Sequence, residues 1–131
     1  MVLSGWSAGA QLVAMTFAHP RITAGLAISG VYDLAPIRDT ALNNALKLTD
    51  DEIASLSPLR LPPVMKPLDI VYGSMELPAL VYDSIRLHDA RAVAGVPGRL
   101  HSIDGANHFS ILGELRRADG RLVDIARTLA R

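Results

Sequence analysis

Val2-Leu3-Ser4-Gly5-Trp6-Ser7-Ala8-Gly9 sets the pattern for all that follows it. Val2 to Ser4 reads as the tail of a strand. Gly9 to Ala18 reads as a helix with Leu12, Val13, Thr16 and Phe17 on one face. Gly5-Trp6-Ser7-Ala8-Gly9 is the corner between them, a G-x-S-x-G motif. Such a corner is so tight that the positions two residues either side of the serine must lack large side chains, and glycine stands at both. The turn points Ser7 Oγ out of the strand's end, beside the amides that open the helix. Those amides, that of Ala8 above all, can face a developing oxyanion. By usage alone the motif arises in roughly 4% of chains this long. A strand before it and a helix after it make chance a poorer account.

Working outward, strand-length apolar runs alternate with stretches of helical period, the pattern of βα units around a parallel sheet. His19-Pro20 ends the first helix, because the residue before proline is pushed out of the α region. Ala24 to Ser29 reads as a strand buried on both faces. Tyr32 to Leu61 is less regular and reads as an excursion above the sheet. Within it, Thr49 and Glu52 form a capping-box pair for a short helix through Ser55, and Ser57-Pro58 and Pro62-Pro63 are breaks. Leu68 to Tyr72 is the next strand, and Pro78 starts a helix that continues at Leu80, Val81, Ser84, Ile85, His88 and Ala92. Arg99 to Ile103 is the last strand. Two helical pieces follow, around Ile111, Leu112 and Leu115 and then Leu122, Ile125, Ala126 and Leu129, with Gly120 between them. The expected class is a three-layer αβα fold with about four parallel strands, over residues 1–131 as one domain.

Composition narrows the function classes. Among 131 residues, 13 are basic and 13 acidic, so no net field draws the chain to nucleic acid or an anionic membrane. The one Trp, three Tyr and two Phe do not interleave with basic clusters, which weighs further against nucleic acid. The absence of cysteine excludes disulfides, thiolate metal sites and a cysteine nucleophile, and it fits a reducing compartment. No secretory leader and no run of about 18 apolar residues is visible. A soluble, cytoplasmic protein acting on a small molecule is the expectation, with no membrane partner. No P-loop pattern and no histidine pair at ligand spacing occurs, so neither a cofactor nor a metal is expected.

A nucleophilic serine needs a base, and there are four histidines. His19 reads as a helix-end residue, and His88 and His101 as structural residues of a helix and a strand. His108 lies in the loop Asp104-Gly105-Ala106-Asn107-His108-Phe109 after the last strand, where a side chain can hang over the sheet edge that Ser7 also occupies. The acid that orients the base comes between serine and histidine in elbow-bearing α/β folds. Glu76, three residues after Gly73, fits that order. Asp104 is its rival; Asp33 and Asp69 are weaker, Asp69 because it sits at the wrong edge of the sheet.

Further motifs carry a resemblance. Ile28-Ser29-Gly30-Val31-Tyr32-Asp33-Leu34-Ala35-Pro36 follows the first helix, with Asn43-Asn44, Leu46-Lys47-Leu48 and Ser57-Pro58 downstream. Gly73-Ser74-Met75-Glu76-Leu77-Pro78 and Asn107-His108-Phe109 come later. From about Val2 to Leu115 the chain resembles the kynurenine formamidase (arylformamidase) branch of the α/β-hydrolases, near the hormone-sensitive-lipase-like esterases. The resemblance implies a Ser7, Glu76, His108 triad and hydrolysis of N-formylkynurenine, or of short-chain esters as the alternative. It suggests Trp6, Tyr32 and Phe109 as substrate-pocket residues, with Trp6 standing where many relatives have histidine. Such enzymes usually exceed roughly 200 residues, so the resemblance covers only their C-terminal part. The upstream His-Gly-Gly segment that donates a second oxyanion amide has no counterpart here. A non-catalytic remnant is therefore a further alternative, and self-association through an exposed edge strand is expected.

Overall fold

The computed structural model describes residues 1–131. Four strands, β1 (Val2–Trp6), β2 (Ala24–Ile28), β3 (Leu68–Gly73) and β4 (Leu100–Ile103), form one parallel sheet in the order β1-β2-β3-β4. Helix α1 (Ala8–Thr16) follows β1 directly, and α2 (Asn43–Leu46) and α3 (Asp50–Leu56) lie in the excursion between β2 and β3. Helix α4 (Pro78–Val93) joins β3 to β4, and α5 (Arg121–Leu129) ends the chain. The fold class is as expected, a partial α/β-hydrolase fold of three layers.

Side-chain alternation along the central strands divides the core in two. Ala27 and Ile70 face Ala10 and Val13 of α1, Phe17 just after it, and Leu87 of α4. Leu26, Ile28 and Val71 face the other way, onto Ile111 and onto Leu122 and Ile125 of α5. All five residues of β2 are buried, which is why it reads as an unbroken apolar run. The sheet is thus covered on both faces, and its C-terminal edge is left to the loops.

Two helical readings need adjustment. The piece around Ile111 and Leu112 is a 3-10 helix, Ser110–Leu115, and Gly120 separates it from α5 as anticipated. In α4 the buried residues are Asp83, Ser84, Leu87 and Arg91, so its inward face carries two charged side chains that apolar periodicity did not mark. Arg91 is held there by the carbonyls of Val64, Lys66 and Pro97. Helix α3 begins at the capping box of Thr49 and Glu52, with both reciprocal bonds present. No helix is long and apolar enough to cross a membrane.

Candidate active site

Ser7 stands between β1 and α1 with φ 57°, left-handed backbone that a non-glycine residue adopts only when its surroundings impose it. The Ser7 amide donates to Ile28 O at 2.9 Å, tying the corner to β2, and its carbonyl accepts from Ala10 N at 3.0 Å. The two flanking glycines turn out to be unequal. A Cβ on Gly5 would lie 2.2 Å from Gly9 O, whereas a Cβ on Gly9 would meet nothing within 4 Å. It is the helix backbone crossing over β1 that requires glycine, and only at position 5. Ala8 opens α1, where an amide has no partner within the helix.

Two further loops meet Ser7 at this edge of the sheet. The loop after β3 and the loop after β4 are joined by Ser74 N to Ile103 O at 3.0 Å and Met75 N to Ala106 O at 2.9 Å. A Cβ on Gly73 would stand 2.2 Å from Ala106 O, so this approach too depends on glycine. Asn107 shapes the second loop by accepting the amides of Phe109 and Ser110 on its side-chain oxygen. The indole of Trp6 donates to His108 O at 2.8 Å, and its ring lies 4.9 Å from the imidazole.

These contacts bring Ser7, Glu76 and His108 together. His108 Nε2 is 3.0 Å from Ser7 Oγ, and His108 Nδ1 faces Glu76 Oε1 at 3.8 Å. An Nε2 that accepts the serine proton places the imidazole proton on Nδ1, toward the carboxylate. The Glu76 carboxylate is fully buried, and its Oε1 accepts a hydrogen bond from the Ser29 hydroxyl. Glu76 Oε2 and His108 Nδ1 are both buried without a partner. Buried polar atoms are rarely left so.

The rival acids are occupied elsewhere. Asp104 is exposed and accepts from Ser74 Oγ, which in turn accepts the Gly105 amide, so it braces its own loop. Asp33 pairs with Arg60 and Arg86. Burial alone would raise its carboxyl, but the Ala35 amide and the Arg60 guanidinium outweigh that and hold it below the ordinary value. Asp69 lies at the far edge and bonds His101. Of the other histidines, His19 accepts the Arg21 amide and His88 pairs with Asp89. No three His, Asp or Glu side chains converge as metal ligands would.

Beside Ser7 opens a cavity of about 350 Å³ lined by Val31, Leu34, Ile37, Leu46, Leu48 and Leu56 among others. The excursion forms it, anchored by Gln11 Nε2 to Leu56 O at 2.8 Å and by Leu34 N to Ser57 Oγ at 2.9 Å. The expected pocket residues are elsewhere. Tyr32 is wholly buried in the core against Gly30, and Asp83 Oδ2 accepts its amide; burial pushes its phenol far above the usual range. Trp6 and Phe109 pack at tilted and edge-on angles against His108 and each other and do not line the cavity. Sequence reasoning missed the excursion leucines because their spacing is irregular. It missed Ser29 because a serine ending a strand carries no signal of its own.

A central parallel sheet with a strained serine at its C-terminal edge, and a histidine and a buried carboxylate beside it, is the arrangement of an α/β-hydrolase fold. Among curated proteins, the chain is similar to the kynurenine formamidase of Danio rerio, 29% identical over 129 residues covering 88% of this chain and 44% of that protein. The kynurenine formamidase of Salmo salar is 28% identical over 140 residues, 95% of this chain and 48% of that one. The chain therefore spans about half the length of the curated relatives it matches. Among solved structures, an esterase/lipase from an uncultured bacterium superposes with a TM-score of 0.76 at 22% identity, covering 98% of this chain and 52% of that one. Thermogutta terrifontis esterase 2, solved phosphoramylated by tabun, gives 0.71 at 21% identity, over 97% of this chain and 52% of that one. No family model matches.

Proposed function

We propose that this chain carries the catalytic residues of a serine hydrolase acting by acyl transfer on an aryl formamide of the N-formylkynurenine kind. The observation that carries this reading is the 3.0 Å contact between His108 Nε2 and a Ser7 Oγ held on left-handed backbone. In this reading Ser7 Oγ attacks the formyl carbon as His108 takes its proton, and the oxyanion faces the Ala8 amide. Collapse breaks the C–N bond, and His108 returns the proton to the leaving amine. Water, deprotonated by the same imidazole, then releases formate and frees Ser7. Glu76 keeps the imidazole turned and offsets its charge once protonated. The aryl-formamide substrate is drawn from the two formamidase relatives.

A second reading, a carboxylesterase taking a neutral apolar group, is favoured by the cavity, none of whose lining residues carries a charge. A zwitterionic substrate finds no ionic partner there. The test of the shared chemistry is labelling by an organophosphate followed by peptide mass spectrometry. Label on Ser7 supports it; no label, or label on Ser29 or Ser110, counts against it. Relative kcat/KM on N-formylkynurenine and p-nitrophenyl butyrate separates the two substrates.

A further inference from the structure

We infer that Ser29 is a positioning residue for the acid: its hydroxyl fixes one oxygen of Glu76 so that the carboxylate stays aimed at His108. The inference rests on the serine-hydrolase reading above. It starts from the backbone. Ser29 directly follows β2, with its amide bonded to Val71 O at 2.8 Å, and its φ is 51°. Left-handed backbone is unfavourable for a non-glycine residue. A glycine stands one place further on, yet the positive φ falls on the serine. Gly30 answers a different need, since a Cβ there would meet the Tyr32 ring at 2.5 Å. Nothing about the turn itself asks for a serine side chain at 29.

What the side chain does is donate to Glu76 Oε1, with both groups sealed from solvent. A buried carboxylate is costly unless its charge is met by donors. Ser29 supplies the one side-chain donor within hydrogen-bond distance, because Oε2 has no partner and His108 Nδ1 stands at 3.8 Å. The oxygen that Ser29 holds is the same Oε1 that faces His108 Nδ1, so the hydroxyl fixes the aim of the carboxylate directly. Without the hydroxyl, the carboxylate loses its direction and its one side-chain donor. Strain at Ser29 is thus retained for a hydroxyl that acts through Glu76.

The test compares Ser29→Gly and Ser29→Ala, each alone and combined with Glu76→Gln, using p-nitrophenyl acetate and thermal melts. Glycine removes the hydroxyl and relieves the backbone; alanine removes the hydroxyl and keeps the strain. Expected are a 10- to 100-fold loss of kcat in both single variants, KM within about twofold, and no fall in Tm for Ser29→Gly. In the Glu76→Gln background the further loss shrinks to about twofold or less, since the group acted on is gone. Unchanged kcat in Ser29→Gly overturns the inference, as does a loss confined to Ser29→Ala or one of equal size in both backgrounds. If the wild-type chain neither turns over substrate nor takes organophosphate on Ser7, the hydrolase reading itself fails and this one falls with it.

Discussion

Two carboxylate–histidine pairs occupy opposite edges of the same sheet, and each joins the β3 region to the β4 region. At the N-terminal edge Asp69 meets His101 at 2.9 Å and accepts the Arg99 amide at 3.0 Å, with the Arg99 guanidinium at 3.3 Å. At the C-terminal edge Glu76 faces His108 at 3.8 Å, and each side keeps one buried polar atom without a partner. The first pair is satisfied, and nothing remains for it to do but hold two strands. The second is left incomplete beside a strained serine and an open apolar cavity. A carboxylate–histidine pair whose hydrogen bonds close holds strands together; the pair left open is the one to which the proposed function gives the chemistry. The sheet explains the division, because strand ends at the C-terminal edge open into loops that converge, as in other α/β folds.

The largest effects break the second pair. Ser7→Ala and His108→Ala are each expected to remove nearly all turnover, about 10⁶-fold by analogy with other serine triads. Steady-state hydrolysis of an activated ester measures this, and a residual rate within tenfold of wild type sinks the assignment. Glu76→Gln is expected to cost about 10⁴-fold, because the base remains but loses its orienting charge. Asp104→Asn is expected to leave the rate within a few-fold; were it the more damaging of the two, the acid would be misassigned.

Breaking the first pair is expected to touch stability and spare catalysis. Asp69→Asn removes a buried charge that three donor groups share, a loss of about 2–3 kcal/mol in urea unfolding, with kcat within about twofold. The pH dependence sharpens the contrast. Burial alone would raise the Asp69 carboxyl, but the His101 ring and the Arg99 amide outweigh it, so it is lowered from its ordinary 3.8 in the folded chain. A lowered folded value means the unfolded chain binds the proton first. The contribution of Asp69 is therefore present above 3.8 and lost as pH falls through the lower folded value. Wild type is expected to lose stability steeply in that acid window, and Asp69→Asn less steeply; parallel curves would remove Asp69 from the account.

The corner itself is tested by contrasting Gly5 with Gly9, where the smallest effect of all is expected. Gly5→Ala forces a Cβ onto Gly9 O and is expected to cost about 3 kcal/mol or more, with Ser7 displaced. Gly9→Ala meets open space on a helix and is expected to be neutral or to stabilise by about 0.5–1 kcal/mol. A large loss in Gly9→Ala would restore the symmetrical reading of the motif.

Much of this molecule follows from local sequence. Ser7 was legible because a strand, a glycine corner and a helix occur within a few residues, and His108 because it follows the last apolar run in a polar loop. Period and breaker residues likewise placed the four strands and the capping box at Thr49, since hydrogen bonding and burial act there over short chain distances. Glu76 was legible only as the leading one of four candidates, because sequence order cannot say which carboxylate points inward. The tertiary structure decided what depends on loops meeting. It turned Asp104 outward onto Ser74, sank Tyr32 into the core, drew the cavity from irregular leucines of the excursion, and placed Ser29 against Glu76 across 47 positions of chain. Such contacts are set by how layers pack and where strand ends emerge, and no periodicity along one segment encodes them.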